Sequence, residues 1–351
     1  MIRVGVYGAT GYMGGEALRV LAEHPAVSIA WATSRSTKPL SFYHPNLIDL
    51  EIDLTRPEEI SDCDAVLLAL PAGEAMRLTP GLLARGMKVI DLGADFRLRN
   101  RADWERVYGR THVCWELAEE AIYGLPELHR ERIKTARVIA NPGCYSSAAI
   151  LGLAPLVQAD LIDTERIVVD GLSGTTGAGA ELSTPTHHPE IANNLIPYNV
   201  VDHRHTYEIE QELGLLTKAR VAVHFTSTYV PISRGILAIS HCFPKTGMNR
   251  ADLLALYQEF YQGEYFIKIF DRPKEEGVSW QYAPYPWVAA VSGTNFCHIG
   301  LDVDEKRGRI VVFSVLDSVG KGGAHAAVQN LNLMFGLPER TGLERRGLHP
   351  Y

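Results

Sequence analysis

The stretch Arg3-Val4-Gly5-Val6-Tyr7-Gly8-Ala9-Thr10-Gly11-Tyr12-Met13-Gly14-Gly15-Glu16 combines an apolar run, spaced glycines and the start of a helical pattern. Glycines at these spacings let the backbone turn sharply and approach a pyrophosphate, while the helix N-terminus offers it N–H donors. A strand, a glycine loop and a helix in this order predict a dinucleotide site, although an ordinary tight turn is the alternative. The predicted cofactor contacts here are Gly8, Thr10, Gly11, Tyr12, Met13 and Gly14.

The residues after the second predicted strand indicate which dinucleotide binds. An acidic side chain there binds the ribose 2′-hydroxyl of NAD, whereas a cation accepts the 2′-phosphate of NADP. This chain offers Ser34, Arg35 and Lys38, with no acid in the run from Ala32 to Lys38. The sequence therefore favours NADP, with Ser34 and Arg35 as contacts. The alternative is that Arg35 and Lys38 are solvated surface cations.

Size and composition predict a two-domain enzyme. A chain of 351 residues that is 46% hydrophobic can bury two cores. A net charge of -7 with scattered basic residues argues against nucleic acid as a partner. Five cysteines without close pairs indicate reduced thiols rather than a disulfide framework. No leader or long apolar stretch is evident, so we expect the cytoplasm and no membrane partner.

The order of the predicted elements indicates an α/β fold in two domains. Short β-branched runs alternate with helical patterns up to Ala140, which is typical of a parallel sheet covered by helices. From Cys144 onward strands follow one another, which predicts an α+β domain with an antiparallel sheet. We expect a dinucleotide-binding domain at 1–143, completed by 319–351, and a catalytic and dimerisation domain at 144–318.

The predicted strands are Arg3–Tyr7, Val27–Thr33, Ala65–Leu70, Lys88–Leu92, Arg137–Ala140, Arg166–Asp170, Val221–Val230, Ile236–Phe243, Ile299–Val303 and Arg309–Leu316. The predicted helices are Gly14–Glu23, Glu74–Arg85, Thr206–Leu213, Asn249–Tyr261 and Gly322–Met334, besides one that follows Cys144. A long polar loop is expected from Ser173 to Asp202, and loops of that length are usually functional.

The stretch Ala140-Asn141-Pro142-Gly143-Cys144-Tyr145-Ser146-Ser147 places a cysteine between a strand and an apolar helix. A thiol at a helix N-terminus feels the positive end of the helix dipole, which favours the nucleophilic thiolate. Cys144 is therefore a candidate for attack on an acyl carbon. The other interpretation is a small buried hydrophobic residue, which is a common environment for free cysteine.

Two histidines precede a predicted amphipathic helix, in His203-Arg204-His205-Thr206-Tyr207-Glu208. Paired in space with Cys144, one of them could act as its base and later as an acid. Glu208, one turn beyond His205, could orient the imidazole. Alternatively, the pair could be solvent-exposed or bind a metal weakly, but the spacing matches no zinc motif and we expect no metal.

The run Gly171–Ala180 is rich in glycine and hydroxyl groups. Its N–H groups could cradle a phosphate or carboxylate, or the run could simply be a flexible loop.

Together these motifs resemble the N-acetyl-γ-glutamyl-phosphate reductase family nearly from end to end. The resemblance rests on Gly8–Tyr12, Asp91–Arg97, Tyr123–Leu128, Ala140–Tyr145, His203–His205, Arg234–Leu237 and Gly293–Asn295. It implies a Rossmann-type NADP domain and an α+β catalytic domain, as in aspartate-semialdehyde dehydrogenase and glyceraldehyde-phosphate dehydrogenase. It also implies that Cys144 accepts the acyl group and that His205 is the general acid and base, with His203 the second candidate.

The resemblance further implies reduction of an acyl phosphate by NADPH through a cysteine thioester. Asn141 is expected near the carbonyl oxygen, and Arg97 is the candidate to hold the phosphate because a guanidinium matches its geometry. Ser173 and Arg204 complete the predicted substrate contacts, and Gly177 and Asn330 the cofactor contacts.

Two positions depart from the family pattern. Ser318 stands where members often carry an asparagine that contacts the nicotinamide carboxamide, so this one contact is in doubt. Ser146 replaces a frequent proline after Cys-Tyr and should alter only the start of the helix.

The substrate remains open between two branches. One is N-acetyl-glutamyl 5-phosphate in arginine biosynthesis; the other is 2-aminoadipyl 6-phosphate on a small acidic carrier protein in lysine biosynthesis, suggested by Ala180–Glu190 and Gly347–Tyr351. A non-catalytic dinucleotide sensor is a third hypothesis, which retention of Cys144 and both histidines disfavours. A homodimer or homotetramer is expected, through an exposed sheet face of the second domain.

Overall fold

The computed structural model describes residues 1–36, 38–271 and 285–349. These form two compact units. The first unit contains Met1–Gly143 and Gly323–Glu344, and the second contains Cys144–Gly322 together with the described residues from Arg345 onward. No helix among the described residues is long and apolar enough to cross a membrane.

The first unit is built on a parallel sheet of seven strands, counted over the described residues. They are β1 (Ile2–Tyr7), β2 (Val27–Thr33), β3 (Leu54–Thr55), β4 (Ala65–Leu68), β5 (Lys88–Asp91), β6 (Ile122–Tyr123) and β7 (Val138–Ala140). The sheet order is β3-β2-β1-β4-β5-β7-β6, so the chain reverses direction across the sheet between β1 and β4. Ligands of open parallel sheets bind beyond the strand ends at such a switch point. All four residues of β4 are buried, as expected for a strand covered on both faces.

The helices of this unit that precede Cys144 are α1 (Tyr12–Ala22), α2 (Leu40–Tyr43), α3 (Ala75–Ala84), α4 (Arg101–Tyr108), α5 (Trp115–Glu120) and α6 (Pro126–Lys134). The predicted strands and helices of this region are confirmed to within about two residues at each end. The longer excursions after β2 and β5 contain α2, β3, α4, α5 and β6, which are too short to give a clear periodic pattern.

The second unit carries a mixed sheet of seven strands, again counted over the described residues. They are β8 (Ile167–Ser173), β9 (Ile196–Tyr198), β10 (Val223–Tyr229), β11 (Ile236–Cys242), β12 (Ile267–Ile269), β13 (Cys297–Asp304) and β14 (Arg309–Leu316). The order is β12-β13-β14-β11-β8-β10-β9. Its helices are α7 (Cys144–Gln158), α8 (His188–Ile191), α9 (Arg204–Gly214) and α10 (Arg250–Phe260).

The predicted antiparallel sheet is only partly correct, because the observed sheet is mixed. Strand β8 pairs with β10 in parallel, and so does β12 with β13, while the other pairs are antiparallel. The long segment between β8 and β10 contains α8, β9 and α9, and a connection of that length permits a parallel crossover. The predicted loop from Ser173 to Asp202 likewise contains α8 and β9 as well as short 3₁₀ turns.

Helix α7 forms the core of the second unit, and its residues from Tyr145 to Val157 are all buried. Pro155 within it has no N–H to donate to the carbonyl oxygen of Leu151 one turn earlier. The Tyr261 hydroxyl, at the end of α10, donates to that oxygen at 2.5 Å. The Tyr257 hydroxyl donates to the next carbonyl, that of Gly152, also at 2.5 Å. Two phenols of α10 therefore satisfy the backbone of α7 where the proline interrupts it.

The last helix, α11 (His325–Met334), belongs to the first unit and is buried along its whole length. It packs against α6 and α1. His325 hydrogen-bonds Glu16 of α1 at 2.7 Å, and Asn332 hydrogen-bonds His24 at 3.0 Å. The helix starts three residues later than predicted, because Gly320–Ala324 forms a wider π-type turn before it.

Candidate active site

Cys144 is the first residue of α7 and is partly exposed. Of the five cysteines, only Cys63 shares that partial exposure. Cys114 and Cys242 are buried, and this burial raises the pKa of each thiol to about 12. Desolvation by burial also raises the pKa of Cys63. Cys144 is therefore the cysteine whose position at a helix N-terminus favours a thiolate that solvent can reach.

Gly322 lies directly against the cysteine. A Cβ atom added to Gly322 would come within 2.8 Å of Cys144 Cβ, closer than real side chains approach. The glycine thus leaves room for the nucleophile's side chain. Sequence reasoning did not single out Gly322; the signal available was the run Gly320-Lys321-Gly322-Gly323 before the last helix.

The two predicted histidines lie at the start of α9, which packs against α7. His203 is the N-cap, and its Nδ1 accepts the main-chain N–H of His205 at 3.1 Å. His205 is buried, and its Nε2 lies 3.9 Å from Oε1 of the fully buried Glu208, one helical turn along. Glu208 is thus close enough to attract a protonated His205 ring, as the orienting role requires.

Tyr145 brings these groups together. Its ring centroid lies 5.7 Å from that of His203 and 5.9 Å from that of His205, in edge-on contacts with both. Its hydroxyl accepts a hydrogen bond from the Tyr198 hydroxyl at 3.2 Å. Gly171 of β8 makes room for the ring, because a Cβ there would approach Tyr145 to 2.7 Å. The residue after the cysteine therefore sets the surroundings of both histidines.

The phenols of Tyr198 and Tyr229 extend the cluster around Tyr145. Burial raises the pKa of Tyr145, Tyr198 and Tyr229, and in each case the nearby Cys144 raises it further. The rings of Tyr198 and Tyr229 are stacked with centroids 3.9 Å apart. The structure thus brings Cys144, His203, His205 and Glu208 into one unit and one neighbourhood. Sequence reasoning missed the three tyrosines, because such aromatic residues are more often simply core.

The glycine loop of the first unit has the form that a pyrophosphate requires. Gly8 has φ of +75°, and a Cβ there would lie 2.2 Å from the carbonyl oxygen of Ala69. A Cβ on Gly14 would lie 2.2 Å from the oxygen of Gly8. Gly11 is the N-cap of α1, and no side chain accepts a hydrogen bond from the first turn of the helix. The N–H groups of Tyr12, Met13 and Gly14 therefore point beyond the N-terminal end of the helix. These features fit the pyrophosphate of a dinucleotide.

The residues after β2 form a tight turn. The Ser34 hydroxyl accepts the N–H of Ser36 at 2.9 Å, and Ser34 is nearly buried. Arg35 is exposed, and Lys38 lies over the Phe42 ring at 3.6 Å from its centroid. An exposed guanidinium beside a buried serine fits a 2′-phosphate better than a 2′-hydroxyl.

Arg97 and Asn141 form hydrogen bonds with other residues of the first unit. Arg97 donates through Nε to the oxygen of Asn141 at 2.8 Å and through Nη2 to that of Leu92 at 2.9 Å. The amide of Asn141 donates to Gly323 O at 3.1 Å and accepts from the Asn330 amide at 3.2 Å. Both side chains therefore donate to main-chain oxygens of the first unit.

Asn330 is fully buried and also donates to Gly124 O at 2.9 Å, so its amide is likewise used internally. The Ser173 hydroxyl donates to Gly174 O at 2.8 Å. Arg204 differs, since its side chain is exposed at the N-terminus of α9. Among the four predicted substrate contacts, Arg204 is the one whose charge faces solvent beside the histidines.

For the glycine-rich run, the sequence left an anion cradle and a flexible loop both open, and the structure shows main-chain hydrogen bonds along it. The N–H groups of Gly174, Thr175 and Thr176 donate to carbonyl oxygens of Gly235, Ile232 and Ser233. Those of Gly177 and Gly179 donate to earlier residues of the same turn. Because these N–H groups already donate hydrogen bonds within the protein, they hold the turn in place and do not point to a phosphate site.

Motif residues distant in sequence meet at Asp317, which is fully buried. Its carboxylate accepts from Arg234 at 2.8 Å, from the Gly293 N–H at 2.5 Å and from the Val319 N–H at 2.9 Å. The next residue, Ser318, accepts the Gly235 N–H at 3.2 Å and lies 3.2 Å from the Thr176 hydroxyl. The serine that replaces an asparagine in the family pattern therefore joins this local network.

No group of three or more metal-ligating side chains occurs within the residues that the structure describes.

Both halves of the chain match known families. Residues 3–136 match the family described as "Semialdehyde dehydrogenase, NAD binding domain", and residues 144–318 match "Semialdehyde dehydrogenase, dimerisation domain". The N-acetyl-gamma-glutamyl-phosphate reductase of Methanopyrus kandleri is 47% identical over 358 residues, which cover 100% of both chains. That of Symbiobacterium thermophilum is 45% identical and covers 99% of this chain and 98% of its own.

Among solved structures, aspartate semialdehyde dehydrogenase II from Vibrio cholerae superposes with a TM-score of 0.70 at 21% identity, covering 96% of this chain and 99% of that one. This likeness confirms the predicted fold class. Full-length identity of 47% to a named relative, with both halves matched, decides the family. The chain belongs to the N-acetyl-gamma-glutamyl-phosphate reductase family of semialdehyde dehydrogenases.

Proposed function

We propose that this chain reduces N-acetyl-γ-glutamyl phosphate to N-acetylglutamate semialdehyde with NADPH, in arginine biosynthesis, and releases inorganic phosphate. Relatives that are 42–47% identical over the full length and carry that reductase name support the substrate. The observation that carries the chemistry is the placement of Cys144 at the start of α7 and His205 at the start of α9, with the Tyr145 ring beside the imidazole.

Cys144 acts first as the nucleophile. Its thiolate sulfur bonds to the acyl carbon, the carbon–oxygen bond to phosphate breaks, and phosphate leaves with that electron pair. The product is a thioester on the protein, so one difficult reduction becomes two easier steps. The position at the helix N-terminus favours the thiolate, and Gly322 leaves space on the other side of the Cβ.

His205 acts as the general acid and then the general base of the second step. When bound, NADPH supplies the hydride that reduces the thioester carbon. Protonated His205 then donates to the developing oxygen anion and retrieves that proton as the carbon–sulfur bond breaks, which frees the aldehyde and restores the Cys144 thiolate. The fully buried Glu208, whose Oε1 lies 3.9 Å from His205 Nε2, is the carboxylate that faces the protonated ring between these events.

The cofactor is held by the glycine loop of the first unit. Gly8, Gly11 and Gly14 would admit the pyrophosphate, with donors from Tyr12 and Met13, and Thr10 beside them. Ser34 and the exposed Arg35 would take the 2′-phosphate, which favours NADPH over NADH. Gly177 and Asn330 stay predicted cofactor contacts, although in this conformation their polar groups are paired internally.

Arg204 is the substrate contact that we favour. Its exposed guanidinium adjoins His203 and can pair with the phosphate or the α-carboxylate of the substrate. Arg97, Asn141 and Ser173 are better assigned to holding the main chain, given their contacts.

A second copy of the chain is the partner that we propose. Helix α7 covers one face of the second sheet, where a Cβ on Gly152 would contact Ser314. On the opposite face, His224 and Thr226 are exposed, and Asp170 and His241 are only half-buried. Light scattering should give at least twice the monomer mass of 38.8 kDa, and a monomer mass would contradict this. All five cysteines lie outside disulfides, which favours the cytoplasm as the compartment.

The test uses the purified chain with N-acetyl-γ-glutamyl phosphate and NADPH, and it follows NADPH oxidation together with phosphate release. We expect equal amounts of both, slower turnover with NADH, and no turnover by Cys144→Ser although that variant still binds NADPH. A carrier-protein-linked 2-aminoadipyl phosphate serves as the competing substrate. Turnover of that substrate alone, or activity retained by Cys144→Ser, would overturn the proposal.

A further inference from the structure

His203 occupies an unusual place for an imidazole. Helix α9 begins at Arg204, and His203 is its N-cap, with Nδ1 accepting the main-chain N–H of His205 at 3.1 Å. Ser, Thr, Asp and Asn usually fill this position, because their short side chains present an acceptor to the first turn. The contact joins the capping side chain directly to the backbone of the proposed acid and base.

This hydrogen bond fixes the protons of the His203 ring. A backbone N–H can only donate, so Nδ1 must carry a lone pair, and the neutral ring must bear its proton on Nε2. Such a ring has no lone pair at Nε2 to accept a proton. Protonation at Nδ1 would place two donors against each other and break the cap. In this geometry His203 can therefore serve neither as a base nor as an acid without losing the hydrogen bond that caps α9.

The surroundings of the ring agree with this. His203 is 4% exposed, and its centroid lies 5.7 Å from that of Tyr145, 5.9 Å from that of Tyr198 and 5.0 Å from that of Phe225. Burial first, and the charge of Arg204 second, lower the pKa of His203 to about 4. The ring is consequently neutral at pH 7.

We propose that His203 is a positioning residue: its Nδ1 caps α9, fixes the backbone of His205 and thereby sets the ring that transfers the proton, while His203 itself exchanges none. The choice of reaction rests on the proposed function, whereas the capping role does not.

Matched substitutions distinguish the roles of the two ring nitrogen atoms of His203. In His203→Asn, Oδ1 occupies the place of Nδ1 and can accept the same N–H. In His203→Gln, the polar atoms reach the place of Nε2 instead, and His203→Ala has neither. We expect His203→Asn to recover most of the kcat that His203→Ala loses, whereas His203→Gln stays about tenfold to a hundredfold below wild type. The pH dependence of kcat should keep its shape in His203→Asn.

Two outcomes would overturn the proposal. One is a His203→Asn variant as inactive as His203→Ala, which would indicate that His203 carries a proton. The other is rescue by glutamine but not by asparagine, which would indicate a role for Nε2.

A second readout is independent of activity. In protein labelled with ¹⁵N-histidine, the resonances that disappear in His203→Asn should report an Nε2–H ring from about pH 5 to pH 8. A ring that becomes doubly protonated near pH 6 to 7 would contradict the capping role. If the wild-type chain fails to reduce the substrate but keeps this tautomer, the proposed function fails and the capping role stands.

Discussion

The Nε of Arg97 donates to the main-chain oxygen of Asn141 at 2.8 Å, three residues before the proposed nucleophile. Its Nη2 donates to Leu92 O at 2.9 Å, so one guanidinium links the end of β5 to the segment that leads into Cys144. Arg97 is the predicted contact of the substrate phosphate, and its observed hydrogen bonds point to a second possible role, in joining two main-chain segments. The two roles predict different kinetics.

Arg97→Lys should lower both stability and kcat. A lysine reaches one carbonyl but not two, and loss of a charged hydrogen bond to a buried acceptor costs about 1.5–3 kcal/mol. We expect a lower thermal midpoint and a lower kcat, with the KM for the acyl phosphate nearly unchanged. Arg99→Lys, at an exposed position of the same loop, serves as the control. A raised KM with unchanged thermal midpoint would instead assign Arg97 to the phosphate.

Tyr261→Phe should destabilise the second unit more than Tyr257→Phe does. The first substitution leaves the Leu151 oxygen without a donor, because Pro155 lacks the N–H that would otherwise bond to it. An unsatisfied buried acceptor costs about 1–3 kcal/mol. The second substitution removes a bond to the Gly152 oxygen, which faces the N–H of Leu156 in a regular helix, so we expect about 1 kcal/mol or less. Urea unfolding of both variants measures the difference, and equal losses would refute the explanation.

Stability should fall as the pH drops from about 6.5 to 4, partly because of His203. Its folded pKa of about 4 lies below the ordinary value of 6.5, so the unfolded chain binds the proton more tightly across that window. The resulting loss between pH 7 and pH 5 is about 2 kcal/mol from this group. His298, whose pKa burial and then Lys268 lower to about 4, acts in the same direction. Asp91 acts in the opposite direction. Burial, and then the charge of Asp95, raise its pKa, so Asp91 stabilises the folded state as the pH falls.

Substitution of His203 measures its contribution to the pH dependence of stability. Urea unfolding at pH 7 and pH 5 should show a smaller difference in His203→Asn than in wild type, by about 2 kcal/mol. His187→Asn, at an exposed position just before α8, should leave the difference unchanged. An unaltered difference in His203→Asn would mean that the imidazole is not neutral in the folded protein.

The sequence predicted the features that depend on local chemistry. The glycine loop could be recognised because Gly8 needs a left-handed turn and Gly14 a close approach, which leaves few other residues possible. Cys144 at the start of α7 could be recognised from the strand-to-helix switch around it. Strand boundaries followed from runs of buried residues such as those of β4.

Other features depend on contacts between distant residues. The parallel pairing of β10 with β8 depends on a crossover that contains α9, which strand patterns do not reveal. The residue type of Arg97 could not reveal its main-chain contacts, because a guanidinium binds carbonyl oxygens as readily as phosphate. The capping role of His203 was hidden because histidine is not a typical N-cap residue. Tyr145 belongs to a recognised motif, but its role could not be assigned, since it depends on contacts with Gly171 and two histidines that are distant in sequence.

The covalent intermediate on Cys144 can be tested most directly by mass spectrometry. The purified chain is mixed with N-acetyl-γ-glutamyl phosphate in the absence of NADPH, quenched in acid and digested. The account predicts one N-acetylglutamyl group on the peptide that contains Cys144, none on the peptides of the other four cysteines, and loss of the adduct when NADPH is added before quenching. An unmodified Cys144 peptide under conditions in which NADPH supports full turnover would contradict the account.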